Sequence, residues 1–213
     1  MALNRDALRL YLVTDPVLCA DLGVIETVQR AVAGGARMIQ LRDKHASTAE
    51  RVFLARGLMT ALKGTDVPLI VNDDLEAAIA SGADGAHIGQ GDGDPDRARA
   101  MLGPDRILGR SCETIQTVEA ASAMPVDYLG LGPVFATSTK ADHKTPTGID
   151  DLAAMIAKTQ LPTVAIGGLN ATHVPDVMAA GADGLAVVSA ICGQRDPTQS
   201  AAFFYSAQNE GAL

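Results

Sequence analysis

The sequence predicts a single (β/α)8 TIM barrel, a closed sheet of eight parallel strands, on three observations. Short apolar runs alternate with longer amphipathic stretches eight times, which calls for parallel strands joined by crossover helices. Ala, Gly, Val, Ile and Leu dominate, aromatics make up only 3% and Trp is absent, a composition that packs well in strands buried under helices. The polar exceptions collect just past the apolar runs, where such a barrel carries its chemistry. At 213 residues the chain suits one domain, 1–213, at the small end of this architecture. A doubly wound open sheet shares the alternation and is the alternative.

The elements follow in order. The run Leu10-Tyr11-Leu12-Val13 predicts the first strand, 10–14, and a helix follows over 24–34, closed by Ala33-Gly34-Gly35-Ala36. Strand 38–42 opens apolar with Met38-Ile39 and closes polar, before a helix at 47–63. Leu69-Ile70-Val71 centres strand 68–72, and Asp74 stands where a helix over 74–82 needs its N-cap. Ser81-Gly82-Ala83-Asp84-Gly85 ends that helix with a glycine able to turn left-handed, leading directly into strand 85–89. A helix at 95–102, strand 107–110 and a helix at 114–123 continue the alternation to strand 128–132. A long connection from Pro133 to Gly148 precedes the helix at 150–159 and strand 163–167. The helix at 171–180 ends in Ala180-Gly181-Ala182-Asp183-Gly184, and strand 184–189 and a helix at 197–208 complete the count. The three glycine-bearing junctions recur at unequal intervals, which marks shared local geometry and not a solenoid.

A formal charge of −8 argues against general nucleic-acid binding, which needs a basic face, but not against a small anion met by a local cluster. Cys19, Cys112 and Cys192 are far apart and match no metal or redox spacing, so they read as small core residues in a reducing, cytoplasmic setting. Met1 leads straight into Asn4-Arg5-Asp6 with no apolar leader, and no stretch reaches membrane-spanning length.

In the run Gln40-Leu41-Arg42-Asp43-Lys44, strand alternation sends Gln40, Arg42 and Lys44 to one face and Leu41 to the other. Two cations and an amide inside a barrel are costly unless an anion meets them, which points to a phosphorylated small molecule. Asn72 and Asp73 end the third strand, and Asp92 lies just past the fourth. Two carboxylates at adjacent strand ends suit a Mg2+ ion whose remaining ligands are diphosphate oxygens and water. Either Asp alone reads as a cap or a solvated turn. Thr137-Ser138-Thr139-Lys140 falls in the long connection, whose length suits a lid. Gly167-Gly168 after the seventh strand and Val188-Ser189 after the eighth match the place where barrels form a phosphate cup. His87 reads either as a satisfied interior residue or as a ligand contact. Ser111 reads as a hydrogen-bond donor to ligand, since no base pairs with it or with Cys112.

These segments resemble the thiamine-phosphate synthase (thiamine-phosphate pyrophosphorylase) family over nearly the whole chain. The resemblance is carried by Leu10–Asp15, Gln40–Lys44, Val71-Asn72-Asp73, His87–Asp92, Gly132–Phe135, Thr137–Lys140, Ala165–Leu169 and Val187-Val188-Ser189. It implies a barrel enzyme, a transferase, that joins a hydroxymethylpyrimidine diphosphate to a thiazole phosphate and releases pyrophosphate and thiamine phosphate. It also implies that Gln40, Arg42, Lys44, Asn72, Ser111 and Lys140 hold the pyrimidine diphosphate, and that Asp73 and Asp92 bind Mg2+. Thr137 and Thr139 would then meet the thiazole, with its phosphate on Gly167, Gly168, Val188 and Ser189. The expected binding set takes in the rest of both motifs, Leu41, Asp43 and Ser138. Such chemistry fits the absence of a convincing base: if the diphosphate leaves first, the pyrimidine methylene becomes a ring-stabilised cation. The protein must then neutralise a departing polyanion with Arg42, Lys44 and Lys140 and exclude water. Ser138 stands where the family usually has proline, and Asp43 where it usually has glutamate.

Rival readings are a thiazole tautomerase on the same scaffold, which would need an acid or base such as His87, a Schiff-base aldolase using Lys140, and a non-catalytic sensor of a phosphorylated ligand. A homodimer is an expected assembly for a small barrel with exposed helices.

Overall fold

The computed structural model describes residues 3–137 and 145–210, with side chains through Gln208. Eight parallel strands close in sequence order: β1 (Leu10–Val13), β2 (Met38–Leu41), β3 (Leu69–Asn72), β4 (Gly85–Ile88), β5 (Ile107–Cys112), β6 (Tyr128–Leu131), β7 (Thr163–Ile166) and β8 (Gly184–Val187). Closure is completed by β1 pairing with β8, with Leu12 opposite Val187. The helices are α1 (Val24–Ala33), α2 (Thr48–Ala61), α3 (Leu75–Ser81), α4 (Pro95–Leu102), α5 (Ile115–Ala121), α6 (Gly148–Ile156), α7 (Val174–Ala179) and α8 (Pro197–Glu210). The barrel read from the alternation is therefore the fold, and the open sheet is excluded.

Side-chain alternation splits the core in two. Leu12, Ile39, Leu41, Val71, Ile88, Leu129 and Leu185 face outward and pack under the helices. Tyr11, Val13, Met38, Ile70, Ile107, Tyr128, Val164 and Ala186 fill the interior. Each fully buried aliphatic side chain contributes about 1.5–3 kcal/mol of transfer free energy, so the two layers account for most of the driving force. An N-terminal 3-10 turn, Arg5–Leu8, drops Leu8 into the interior at 0% exposure and stops the bottom of the barrel. That plug had no signature in the sequence.

Two interior glycines make room for rings. A Cβ on Gly109 would lie 2.1 Å from Tyr128 Cζ, and one on Gly130 would lie 3.3 Å from His87 Cε1. The Tyr128 ring thus lies flat where its strand neighbour has no side chain, as the pairing of Gly109 with Tyr128 requires.

Candidate active site

The mouth of the barrel is built from strand ends. Gln40, the last inward residue of β2, is 5% exposed and donates from Nε2 to the Tyr11 hydroxyl at 2.8 Å. Arg42 falls just past the strand. Its N–H donates to Thr14 Oγ1 at 3.1 Å, and its Nη1 lies 3.9 Å from Asp15 Oδ2, so β1 and its loop hold it at the rim. Lys44 is exposed on the wall of a groove of about 710 Å3 that Asp43, Arg51, Asn72, Asp73 and Asp92 also line. Two members of the expected run behave differently. Leu41 is 1% exposed in the helix-facing core, so its side chain does not reach the mouth. Asp43 spends its carboxylate on its own turn, accepting from the N–H groups of His45 and Ala46 at 3.0 and 3.1 Å.

Arg51 of α2, which sequence reasoning missed, ties two strand loops together. Its Nε donates to the Asp43 carbonyl at 3.0 Å and its Nη1 to Asp74 Oδ2 at 2.9 Å. The available signal was a cation near a helix N-terminus, where the dipole disfavours one unless a carboxylate compensates. Asp74 is the N-cap expected of it, accepting from Ala77 N–H at 2.8 Å through Oδ1. Burial alone would raise its pKa, but the Ala77 N–H and Arg51 outweigh that and hold it below the usual value.

With Asp74 so engaged, Asp73 is free to face the mouth. It adopts a left-handed backbone, φ 63°, and its N–H donates to the His87 carbonyl at 2.8 Å. Asp92 is drawn back under the fourth strand by Gly89, whose N–H donates to Asp92 Oδ2 at 2.8 Å. A Cβ on Gly89 would lie 2.7 Å from that oxygen, which explains the glycine. The two carboxylates meet across the strand ends. Burial, and then the neighbouring Asp92, raise the Asp73 pKa to about 6, against smaller opposing effects of Asn72 and Arg42. Opposed carboxylates that repel each other fit a hard divalent cation, which neutralises both. No group of three or more His, Cys, Asp or Glu gathers among the described residues, so such a cation would draw its other ligands from substrate and water.

Ser111 lies on β5, one residue beyond Arg110, the predicted end of that strand. Ser111 and Cys112 keep pairing with Gly130 and Leu131, so β5 runs on to Cys112 and not to Arg110 as expected. The Ser111 Oγ lies 2.9 Å from His87 Nε2, and its carbonyl accepts from Gln90 Nε2. The other ring nitrogen of His87, Nδ1, lies 2.9 Å from the Tyr128 hydroxyl. Cys112 is fully buried and its thiol is pushed up to about 11 by burial, which leaves it unsuited to nucleophilic work.

Past β6 the chain runs beside β7, with Val134 N–H donating to Ile166 O at 2.9 Å and Phe135 N–H to Gly167 O at 3.0 Å. The returning arm is pinned by Thr147 and Gly148, whose N–H groups donate to Pro133 and Val134 carbonyls at 2.9 Å. Thr137 is partly buried at the base of this connection. Ser138, Thr139 and Lys140 lie outside the described residues. Gly167 and Gly168 have φ of 101° and 64°, and a Cβ on Gly168 would lie 2.5 Å from Ala136 O. These glycines are thus demanded by the close passage of the β6 connection. Val188 packs against the interior cluster at the opposite rim, and exposed Ser189 accepts from Gln194 Nε2 at 2.8 Å through its carbonyl.

The family model for thiamine monophosphate synthase matches residues 10–191. The chain belongs to the thiamine monophosphate synthase family. A thiamine-phosphate synthase of Xanthobacter autotrophicus is 50% identical over 91% of this chain and 92% of its own, and one of Psychrobacter sp. is 49% identical over 93% and 94%. The solved thiamine phosphate pyrophosphorylase of Pyrococcus furiosus superposes with a TM-score of 0.88 at 31% identity, covering 98% of this chain and 99% of that one. Membership in this family places the chain among transferases of the thiamine-phosphate pyrophosphorylase type, as the resemblance implied. Among the described residues no helix is long and apolar enough to cross a membrane.

Proposed function

We propose that the chain condenses a 4-amino-2-methylpyrimidine bearing a 5-methylene diphosphate with a methylthiazole phosphate, or its carboxylated precursor, using Mg2+ and releasing pyrophosphate and, from the precursor, carbon dioxide as well. The observation that carries the reading is the opposed pair Asp73 and Asp92 beside Arg42 and Lys44 at one rim, two carboxylates suited to a divalent cation next to two cationic side chains. Diphosphate departure needs that combination. The bond from the methylene carbon to the diphosphate oxygen breaks, and the thiazole nitrogen forms the new bond to that carbon.

Each residue has a task in that step. Asp73 and Asp92 would hold the ion, which when bound supplies charge neutralisation for the leaving group. Arg42, oriented by Thr14 and Asp15, and Lys44 take up the negative charge that grows on the diphosphate oxygens. Lys140 is assigned the same work. Gln40, Asn72 and Ser111 bind the pyrimidine diphosphate around the mouth, while Thr137 and Thr139 meet the thiazole. Backbone at Gly167, Gly168, Val188 and Ser189 receives the thiazole phosphate. A tautomerase would need a proton-transfer group at the mouth; His87 instead has both ring nitrogens engaged, by Tyr128 and Ser111, which favours the synthase. The test is pyrophosphate release from the purified protein with both substrates, in Mg2+ and in EDTA. Mg2+-dependent release matched mole for mole by thiamine phosphate is expected, and no release with Mg2+ present overturns the proposal.

A further inference from the structure

Five polar side chains, each from a different strand, join in one line across the barrel interior. Gln40 Nε2 is 2.8 Å from Tyr11 OH, Tyr11 OH is 2.8 Å from Tyr128 OH, Tyr128 OH is 2.9 Å from His87 Nδ1, and His87 Nε2 is 2.9 Å from Ser111 Oγ. Tyr11 and Tyr128 are 1% and 0% exposed, so bulk water cannot supply a missing partner. Burial pushes both phenols well above their ordinary pKa, and each therefore keeps its single proton.

One proton per link means that the direction of the whole line is a single choice. With the Gln40 amide donating to Tyr11, Tyr11 must donate to Tyr128, and Tyr128 to His87 Nδ1. The imidazole proton then sits on Nε2 and is donated to Ser111 Oγ. Any break in that order leaves a buried donor or acceptor unmatched, at about 1–3 kcal/mol. At the two ends the consequence faces the substrate: Gln40 keeps its carbonyl oxygen as an acceptor, and Ser111 keeps its O–H as a donor. Turning the Gln40 amide around reverses every link and both ends.

We propose that this line is a polarity relay, and that Tyr11, Tyr128 and His87 are positioning residues that set which hydrogen-bonding pattern the mouth will accept. The proposal rests on the reading of Gln40 and Ser111 as pyrimidine contacts. In the observed direction the site takes a ring that offers a donor to Gln40 and an acceptor to Ser111. An aminopyrimidine has both, in its amino group and ring nitrogens. The corresponding oxo-pyrimidine replaces the amino donor with a carbonyl acceptor and carries a ring N–H, so it needs the line reversed. The relay thus selects amino over oxo rings from a distance, through the tautomer of a histidine.

The experiment combines ring-15N NMR of His87 with kinetics of Tyr128→Phe, and of Tyr11→Phe as a second break in the line. Wild-type protein is expected to hold His87 as the Nε2–H tautomer at neutral pH. Tyr128→Phe removes the donor to Nδ1 and is expected to give a mixture of tautomers. In both variants kcat/KM for the aminopyrimidine diphosphate falls about tenfold, the equivalent of one hydrogen bond, while KM for the thiazole phosphate is unchanged. Discrimination against the oxo analogue falls by at least about tenfold in both. A His87 proton on Nδ1 in the wild type, or wild-type tautomer and selectivity in both variants, overturns the relay. Should the wild type make no thiamine phosphate, the synthase reading fails alone, and the His87 tautomer and its response to Tyr128→Phe still decide the relay.

Discussion

Replacing Arg51 with methionine separates positioning from contact, because the side chain keeps its bulk and loses two charge-assisted hydrogen bonds. Both partners in its ion pair with Asp74 are largely shielded, at 19% and 11% side-chain exposure. The Nη1–Oδ2 distance of 2.9 Å and the Nε–O=C distance of 3.0 Å to Asp43 are full hydrogen bonds. A hydrogen bond involving a charged group contributes about 1.5–3 kcal/mol. Asp74 keeps its bond from Ala77 and some access to water, so the net expectation is the low end, about 2 kcal/mol. For a domain of this size that lowers Tm by about 4–8 °C. Asp74 titrates below its ordinary value in the folded state, so its contribution is present above the unfolded-state pKa and is lost as pH falls. Arg51→Met should therefore flatten the acid side of the stability curve as well as lower it. Urea unfolding at pH 7 and in the acid range measures both, and the KM for the pyrimidine diphosphate should rise as the β2 and β3 loops lose their tie. An unchanged midpoint at pH 7 would refute the argument that Arg51 holds these loops in place.

Other outcomes follow from the rim. Asp92→Asn keeps the shape and removes one hard anionic ligand, so Mg2+-dependent pyrophosphate release should fall to background while circular dichroism stays native. Without added metal, the Asp73 carboxyl binds its proton more tightly folded than unfolded, so stability present below pH 3.8 is lost as pH rises through about 6. Mg2+ should consequently raise the melting temperature more at pH 7.5 than at pH 5, and Asp73→Asn should remove that difference in a thermal-shift titration. Gly168→Ala puts a methyl 2.5 Å from Ala136 O on a left-handed backbone, which should cost about 2 kcal/mol in a denaturant melt. The same variant should raise KM for the thiazole phosphate and spare that of the diphosphate.

What the sequence revealed and what it hid divide along physical lines. Short apolar runs set between longer amphipathic stretches placed all eight strands, mostly within a residue of their ends, because strands buried on both faces carry almost unbroken apolar sequence. Asp74 could be read as a cap since capping is a local rule about one residue and the helix after it. Strand β5 outruns its expected end at Arg110, because a cation interrupts the apolar run without ending the strand. In fact Arg110 is 6% exposed on the outer face, and the pairing continues past it. The 3-10 plug at Leu8 and the cross-link through Arg51 escaped notice because each joins residues far apart in sequence with no period to announce them. Of the two readings of His87, the structure bears on the first: it is a buried interior residue with ring nitrogens engaged by Tyr128 and Ser111. Leu41 belongs to the motif in sequence only, since alternation turns its side chain toward the helices.

The shelf that Gly109 provides for the Tyr128 ring has an evolutionary consequence. A methyl at Gly109 would sit 2.1 Å from the ring, and removing the ring would leave a hole in a stoppered barrel with a hydroxyl gone from its middle. Neither position can drift by itself. A lineage could leave this pair only through a double change, and both single intermediates would fold worse than the start. The two residues should therefore be inherited as a unit, with the glycine, which carries no chemistry, as firmly fixed as the tyrosine that does.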